Sequence, residues 1–327
     1  MTLFLMTIVL LTVVLIISLY TYQVAFYSPK GKHSTIEDPL EGSQYDEVSE
    51  HIYRISHIME RIPCESIKIR SFDGCMLHGR YYHISDDAPI EILFHGYRSC
   101  ALRDCSGGHA LSRKMGFNAL VVDQRAHGKS GGKTITFGIK EHRDCLCWIQ
   151  YCNDRFGGNR PIILSGLSMG AATVLMAAKR SLPDNICCMI ADSPYSAPSE
   201  IIEKVCADMH YPALLCRPFI HLGALIFGHF RLNALTAKEA VQHARVPILL
   251  IHGEDDHFVP CSMSYDIAQH SSAPVRIETF PHADHGLSYL VDPLRYEYVI
   301  YDFLRSIPAL EDQIPESFHN QFFPGNT

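Results

Sequence analysis

A chain of 327 residues is long enough for one large domain with an appendage or for two ordinary domains, and 47% hydrophobic against 19% charged residues is a globular composition on the greasy side. A formal net charge of -7 without clustered Lys and Arg argues against a nucleic-acid partner, because phosphate binding needs such clusters. The twelve cysteines are scattered, with neither a C-x-x-C pair nor a Cys/His run at zinc spacing, so no metal site and no cofactor are expected. They read as small buried hydrophobes kept as thiols, which suits a reducing compartment.

From Met1 to Pro29 there is no charged side chain, and Leu3 to Tyr20 is almost wholly aliphatic. At 1.5 Å rise per residue, about 20 such residues span the ~30 Å hydrocarbon core of a bilayer. Tyr20, Tyr22, Phe26 and Tyr27 form an aromatic belt, followed by Lys30 and Lys32. A cleaved signal peptide would show a basic n-region and a small-residue cleavage site, and neither is clear here. Residues 1–29 are therefore read as an uncleaved single-pass anchor that meets the lipid bilayer through residues 3–22. By the positive-inside rule the two lysines place the large domain on the cytoplasmic side.

Residues 30–61 read as a linker and a lead-in helix. The polar stretch 31–44 would lift the domain off the bilayer, and Val48, Ile52, Ile55 and Ile58 give Tyr45 to Arg61 helical spacing. The domain proper is expected over residues 62–307. Ser66 to Ser71 and Met76 to Ile84 are predicted strands joined by a turn at Phe72-Asp73-Gly74. Ile90 to Phe94 follows, ending in His95-Gly96-Tyr97-Arg98 before a helix to about Lys114, and then the strand Phe117 to Val122. A helix over Ile139 to Asp154 precedes the strand Ile162-Ile163-Leu164, and Ile186 to Ile190 is the next strand. Residues about 196–245 break the rhythm as a helical cap insertion with helices at Ile201 to Met209, Ala213 to Phe227 and Ala237 to His243. Pro247 to Ile251, a helix at Met263 to Gln269, Val275 to Phe280 and a closing helix Leu294 to Leu304 complete the pattern, and 308–327 reads as a loose polar tail in which Phe322 and Phe323 could dock. Alternating strands and helices after an opening hairpin predict an α/β fold, a mostly parallel doubly wound sheet with ligands at the carboxyl ends of its strands.

The strand-to-helix junction Gly166-Leu167-Ser168-Met169-Gly170 is a G-x-S-x-G pentapeptide, the pattern of a nucleophile elbow, where small neighbours let the serine adopt a strained backbone. An acid, in Asp255-Asp256, lies at a later strand end and a histidine, in His282 to His285, at the last. A serine hydroxyl needs a base to take its proton, and the base needs an acid to fix its tautomer.

From about Ser66 to Leu304 the chain resembles the α/β-hydrolase superfamily, in its serine hydrolase branch (esterase, lipase or serine aminopeptidase-like) of bacterial type. Five segments carry the resemblance: the elbow; His252-Gly253 with Asp256 and Val259-Pro260; His285-Gly286; His95-Gly96-Tyr97 as an oxyanion loop; and Asp123 through Ser130, in which Ala126 replaces a glycine of the usual turn. The resemblance implies Ser168 as nucleophile, His285 as general base, Asp256 as its orienting acid, and the backbone N–H groups of Tyr97 and Met169 as the oxyanion hole. Asp255 and His282 are the nearest rivals, failing on spacing and on the following glycine. His95, Arg125 and His127 are expected to brace loops, and His257 has no assigned role. The expected reaction is hydrolysis of a carboxylic ester or thioester with an apolar acyl group through an acyl-serine. The alternatives are a serine peptidase or amidase of the same fold, or a non-catalytic membrane-tethered binding protein.

Overall fold

The computed structural model describes residues 1–29, 35–38, 40 and 42–322. Lys30 and Lys32, on which the expected orientation rests, and Phe323 lie outside the described residues. The chain opens with α1 (Thr2–Ala25), the one described helix long and apolar enough to cross a membrane. Helix α2 runs only from Ser49 to Glu60, shorter than the stretch that its apolar spacing predicts, because Tyr45 closes a separate turn of 3-10 helix. The opening hairpin pairs β1 (Glu65–Arg70) with β2 (Met76–Tyr82), and Gly74 takes the left-handed conformation its turn needs.

Next come β3 (Ile90–Phe94), the short α3 (Ala101–Asp104), α4 (Ser106–Lys114), β4 (Asn118–Asp123), α5 (Glu141–Phe156) and β5 (Ile162–Leu167). They lead to α6 (Met169–Ala177) and β6 (Ile186–Asp192). The insertion holds α7 (Pro198–Asp208), α8 (Ala213–Ile226) and α9 (Ala237–Ala240). The chain then returns through β7 (Ile248–Gly253), α10 (Ser262–His270), β8 (Val275–Phe280), α11 (Ser288–Val291), α12 (Pro293–Arg305) and α13 (Glu316–Phe322).

The eight strands form one sheet in the order β1-β2-β4-β3-β5-β6-β7-β8, antiparallel across β1-β2-β4 and parallel from β4 onward. Every residue of β3, β4 and β7 is buried, as parallel strands covered by helices on both faces require. Because β3 lies between β4 and β5, the winding reverses there, and the loops leaving β3 and β5 face each other across the crevice where such sheets bind ligands.

Three segments sit differently from the sequence expectation. Stretch 31–44 is not a free spacer where it is described: Ile36 is buried, Thr35 C=O accepts from the Cys100 thiol, and Asp38 C=O accepts from Arg103 at 2.8 Å. The tail is not loose as far as Phe322, because Leu310 and Phe318 are buried and Phe322 stacks on Tyr301 at 5.5 Å. The segment leaving α1 is packed into the domain and is not only an aromatic belt. Phe26 is wholly buried in the main core, edge-on to Phe137 and Phe230, and its carbonyl accepts from Ile135 N–H at 2.8 Å. In each case a few apolar side chains in a mostly polar or terminal context find a long-range partner that local pattern does not reveal.

Candidate active site

Ser168 stands at the junction of β5 and α6 with φ 54° and ψ -114°, a conformation that costs a side-chain-bearing residue free energy and that the surrounding packing must hold. The glycines explain how the turn closes. A Cβ on Gly166 would lie 2.3 Å from the carbonyl carbon of Gly170, and one on Gly170 would lie 2.2 Å from Phe94 O. The backbone is pinned further by Ser168 N–H donating to Asp192 C=O at 2.8 Å.

His285, on the loop after β8, stands 2.9 Å from Ser168 Oγ through Nε2 and 2.8 Å from Asp256 Oδ2 through Nδ1. A carboxylate only accepts, so Nδ1–H donates to Asp256 and Nε2 is left to accept the serine proton. Asp256, on the loop after β7, is itself fixed by the amides of Phe258 (3.0 Å) and Val259 (2.7 Å) donating to Oδ1. Burial pushes its carboxyl up, but hydrogen bonds from His252 and His285 outweigh it and hold the pKa well below the usual carboxylate range. His252 sits behind, donating from Nε2 to Val259 C=O at 2.8 Å and accepting from Ser264 through Nδ1 at 2.7 Å. Ser168, His285 and Asp256 are all buried. The arrangement can take a proton from the serine, hold the resulting imidazolium against a fixed carboxylate, and return the proton to a leaving group.

The loop after β3 lies against the elbow, where a Cβ on Gly96 would be 3.5 Å from Ser168 Cβ. Its peptide planes are set from both sides. Gly96 N–H donates to Asp104 at 2.8 Å, and Arg98 N–H donates to His127 Nε2 at 3.0 Å. His95 donates from Nδ1 to Gly96 C=O and accepts Gln124 N–H at Nε2, and burial lowers its pKa, which keeps it neutral in that double role. Met169 is the first residue of α6, so its amide belongs to the unpaired N-terminal donors of that helix, beside Ser168.

The rivals fall elsewhere. Asp255 and His282 face each other at 3.7 Å with exposed side chains, and His257 points outward to Asp284 at 3.1 Å. Arg125 braces its turn by pairing with Asp144 at 2.6 Å and with Asp73 at 2.9 Å, and Ala126 takes φ 64°, the conformation that favours glycine in that turn. Sequence reasoning passed over Tyr45. It is half-buried with its hydroxyl donating to His285 C=O at 3.2 Å, and desolvation first, then the nearby Asp104, push its pKa up. It also gave no role to Asp192, whose carboxyl is buried at the end of β6 and accepts from Tyr296 OH at 3.0 Å and from Ser193. Neither residue lies in a motif, and only the fold brings them to the histidine loop and the elbow.

This sheet order with a strained serine after β5 is that of the α/β-hydrolase fold. Residues 88–219 match the family model described as serine aminopeptidase, S33. The chain is 26% identical over 226 residues to the uncharacterized protein YqkD of Bacillus subtilis, covering 68% of this chain and 74% of that protein. It is 26% identical over 167 residues to the lysophosphatidylserine lipase ABHD12 of Danio rerio, covering 49% of this chain and 41% of that one. Among solved structures, the Pyrococcus furiosus esterase Pf2001 superposes with a TM-score of 0.60 at 24% identity, over 75% of this chain and 93% of that one.

Proposed function

We propose that the protein is a membrane-anchored serine hydrolase that cleaves carboxylic esters or thioesters with apolar acyl groups through an acyl-serine intermediate. The observation that carries the reading is the hydrogen-bonded series Ser168–His285–Asp256 at the carboxyl ends of β5, β8 and β7. Ser168 attacks the acyl carbon while His285 takes its proton. The amides of Tyr97 and Met169 hold the oxyanion, a term worth about 3 kcal/mol per donor. His285 then protonates the leaving group, and water repeats the sequence to release the acid.

The apolar acyl group is inferred from the surroundings. Leu3 to Tyr22 covers roughly 30 Å at 1.5 Å per residue, so a spanning α1 brings its last turns to the bilayer boundary. There Thr21 Oγ donates to Phe219 C=O at 3.1 Å, which seats α8 beside α1, and α8 leaves Leu214, Leu215, Leu225 and Ile226 exposed. Such a cap helix beside a bilayer favours lipid-like acyl chains, each buried CH₂ adding about 0.8 kcal/mol. A cleaved leader would remove Phe26 from the core, which supports a retained anchor. The free cysteines and the two lysines after α1 favour a cytoplasmic domain.

The test is hydrolysis of p-nitrophenyl esters from acetate to palmitate by the full-length chain in detergent micelles, with Ser168→Ala as blank. Activity that vanishes in the variant and peaks at medium or long chains is expected, whereas an acetate optimum would remove the lipid inference. The family description keeps amide hydrolysis as a second reading. Turnover of aminoacyl amides with none of esters would select it.

A further inference from the structure

The last turn of α1 touches the same loop that carries Tyr97. Tyr97 OH donates to Ala25 C=O at 2.8 Å, and the Arg98 guanidinium donates to Val24 C=O. These are carbonyls at the C-terminus of a helix, where orphan acceptors and the negative end of the dipole favour a cation. The same guanidinium lies 5.0 Å over the Tyr97 ring, and that ring lies 5.0 Å from Phe137, which in turn meets Phe26 of the segment leaving α1. Arg98 has φ 51°, a left-handed conformation that a non-glycine residue keeps only where its contacts outweigh the cost. The seat of α1 is close-packed: a Cβ on Gly223 of α8 would lie 2.4 Å from Ser18 O.

We propose that the C-terminal turn of α1 is a positioning element of the oxyanion loop, so that the membrane helix holds Tyr97 and Arg98 in the geometry the reaction uses. The proposal rests on the reading of the Tyr97 amide as an oxyanion donor. Its chemistry follows from the stringency of that role. A donor displaced by about an ångström forfeits most of its stabilisation of the developing charge, while ground-state ester binding depends on other surfaces.

Two full-length variants in micelles test it. Gly223→Leu forces α1 off its seat from a position outside the site. The double variant Tyr97→Phe/Arg98→Ala removes both side-chain contacts while keeping the Tyr97 amide. Hydrogen exchange of the amides in 95–99 is expected to quicken about tenfold or more in both. With a p-nitrophenyl ester, kcat is expected to fall about ten- to a hundredfold with KM changed less than about twofold. Affinity for an alkyl boronic acid, whose tetrahedral serine adduct carries the charge of the oxyanion, should fall by the same factor as kcat. A general loss of folding would not give that match. Unchanged exchange in both variants overturns the proposal, and so does faster exchange with wild-type kcat. If the unmodified protein neither turns over esters nor binds the boronate, the serine hydrolase reading fails by itself. The exchange measurement then still decides whether α1 holds the loop.

Discussion

Phe26→Ala separates a helix that merely tethers the domain from one that belongs to its core. The Phe26 side chain is wholly buried, with ring contacts to Phe137 at 5.8 Å and to Phe230 at 5.2 Å. A buried phenylalanine removes about 150–250 Å² from water, and at about 25 cal/mol per Å² its loss costs roughly 4–6 kcal/mol, an upper figure close to the 3–5 kcal/mol typical of Phe→Ala in cores. At roughly 2–4 °C per kcal/mol for a chain of this size, the melting temperature should fall by about 10–15 °C. The assay is thermal unfolding of the full-length protein in one detergent, followed by the fluorescence of Trp148, the only tryptophan and a buried one. Phe4→Ala, at a side chain exposed on α1, is the control and should melt like the unmodified protein. A Phe26→Ala protein within about 1 kcal/mol of the unmodified one would refute the reasoning, because a tether contributes no core packing.

Asp256→Asn should lower kcat about 10³- to 10⁴-fold with little change in KM, because an amide beside Nδ1 no longer selects the tautomer that lets Nε2 accept the serine proton. Asp123 is pushed up by burial but pulled down to about 2 by the hydrogen bond from His78, the charge of Arg80 and the amide of Lys129. A depressed carboxyl contributes stability above its unfolded pKa of about 4, here roughly 2 kcal/mol, and that contribution is lost as pH falls through about 2. Denaturant titrations should therefore show Asp123→Asn less stable at neutral pH and with a shallower acid limb below about pH 4. Ala126→Gly should raise stability by about 0.5–1 kcal/mol, the relief of a left-handed alanine less the extra entropy of glycine when unfolded, read as a higher denaturant midpoint at unchanged slope.

What the residues themselves determined is whatever short-range chemistry dictates. Short, β-branched-rich apolar runs bounded by turn residues, such as Ile248 to Ile251, read as strands covered on both faces, and β7 is one. Gly166 and Gly170 are required within a few residues of Ser168 because no larger side chain fits the elbow, so the site's centre was legible as a pentapeptide. An acid and a histidine were legible as polar turns ending later strands, the resemblance singled out Asp256 and His285 among them, and the fold brings His285 within hydrogen-bonding distance of both Asp256 and Ser168.

Only the tertiary structure decided the rest. The reversal of strand order at β3, which sets the loop of Tyr97 against the elbow, comes from pairing energies distributed over the whole sheet. Tyr45 meets His285 across 240 positions of sequence, and Tyr97 meets Ala25 across 72. Their local contexts, a polar stretch and the end of an apolar helix, carry no trace of either partner. The same holds for Phe26, which reads locally as one more aromatic of a membrane belt and is placed by its rings in the core of the domain. Periodicity reports which face of an element is apolar; what covers that face is settled when distant segments compete to bury it, and here the end of α1 and the stretch after it bury theirs beside the candidate active site.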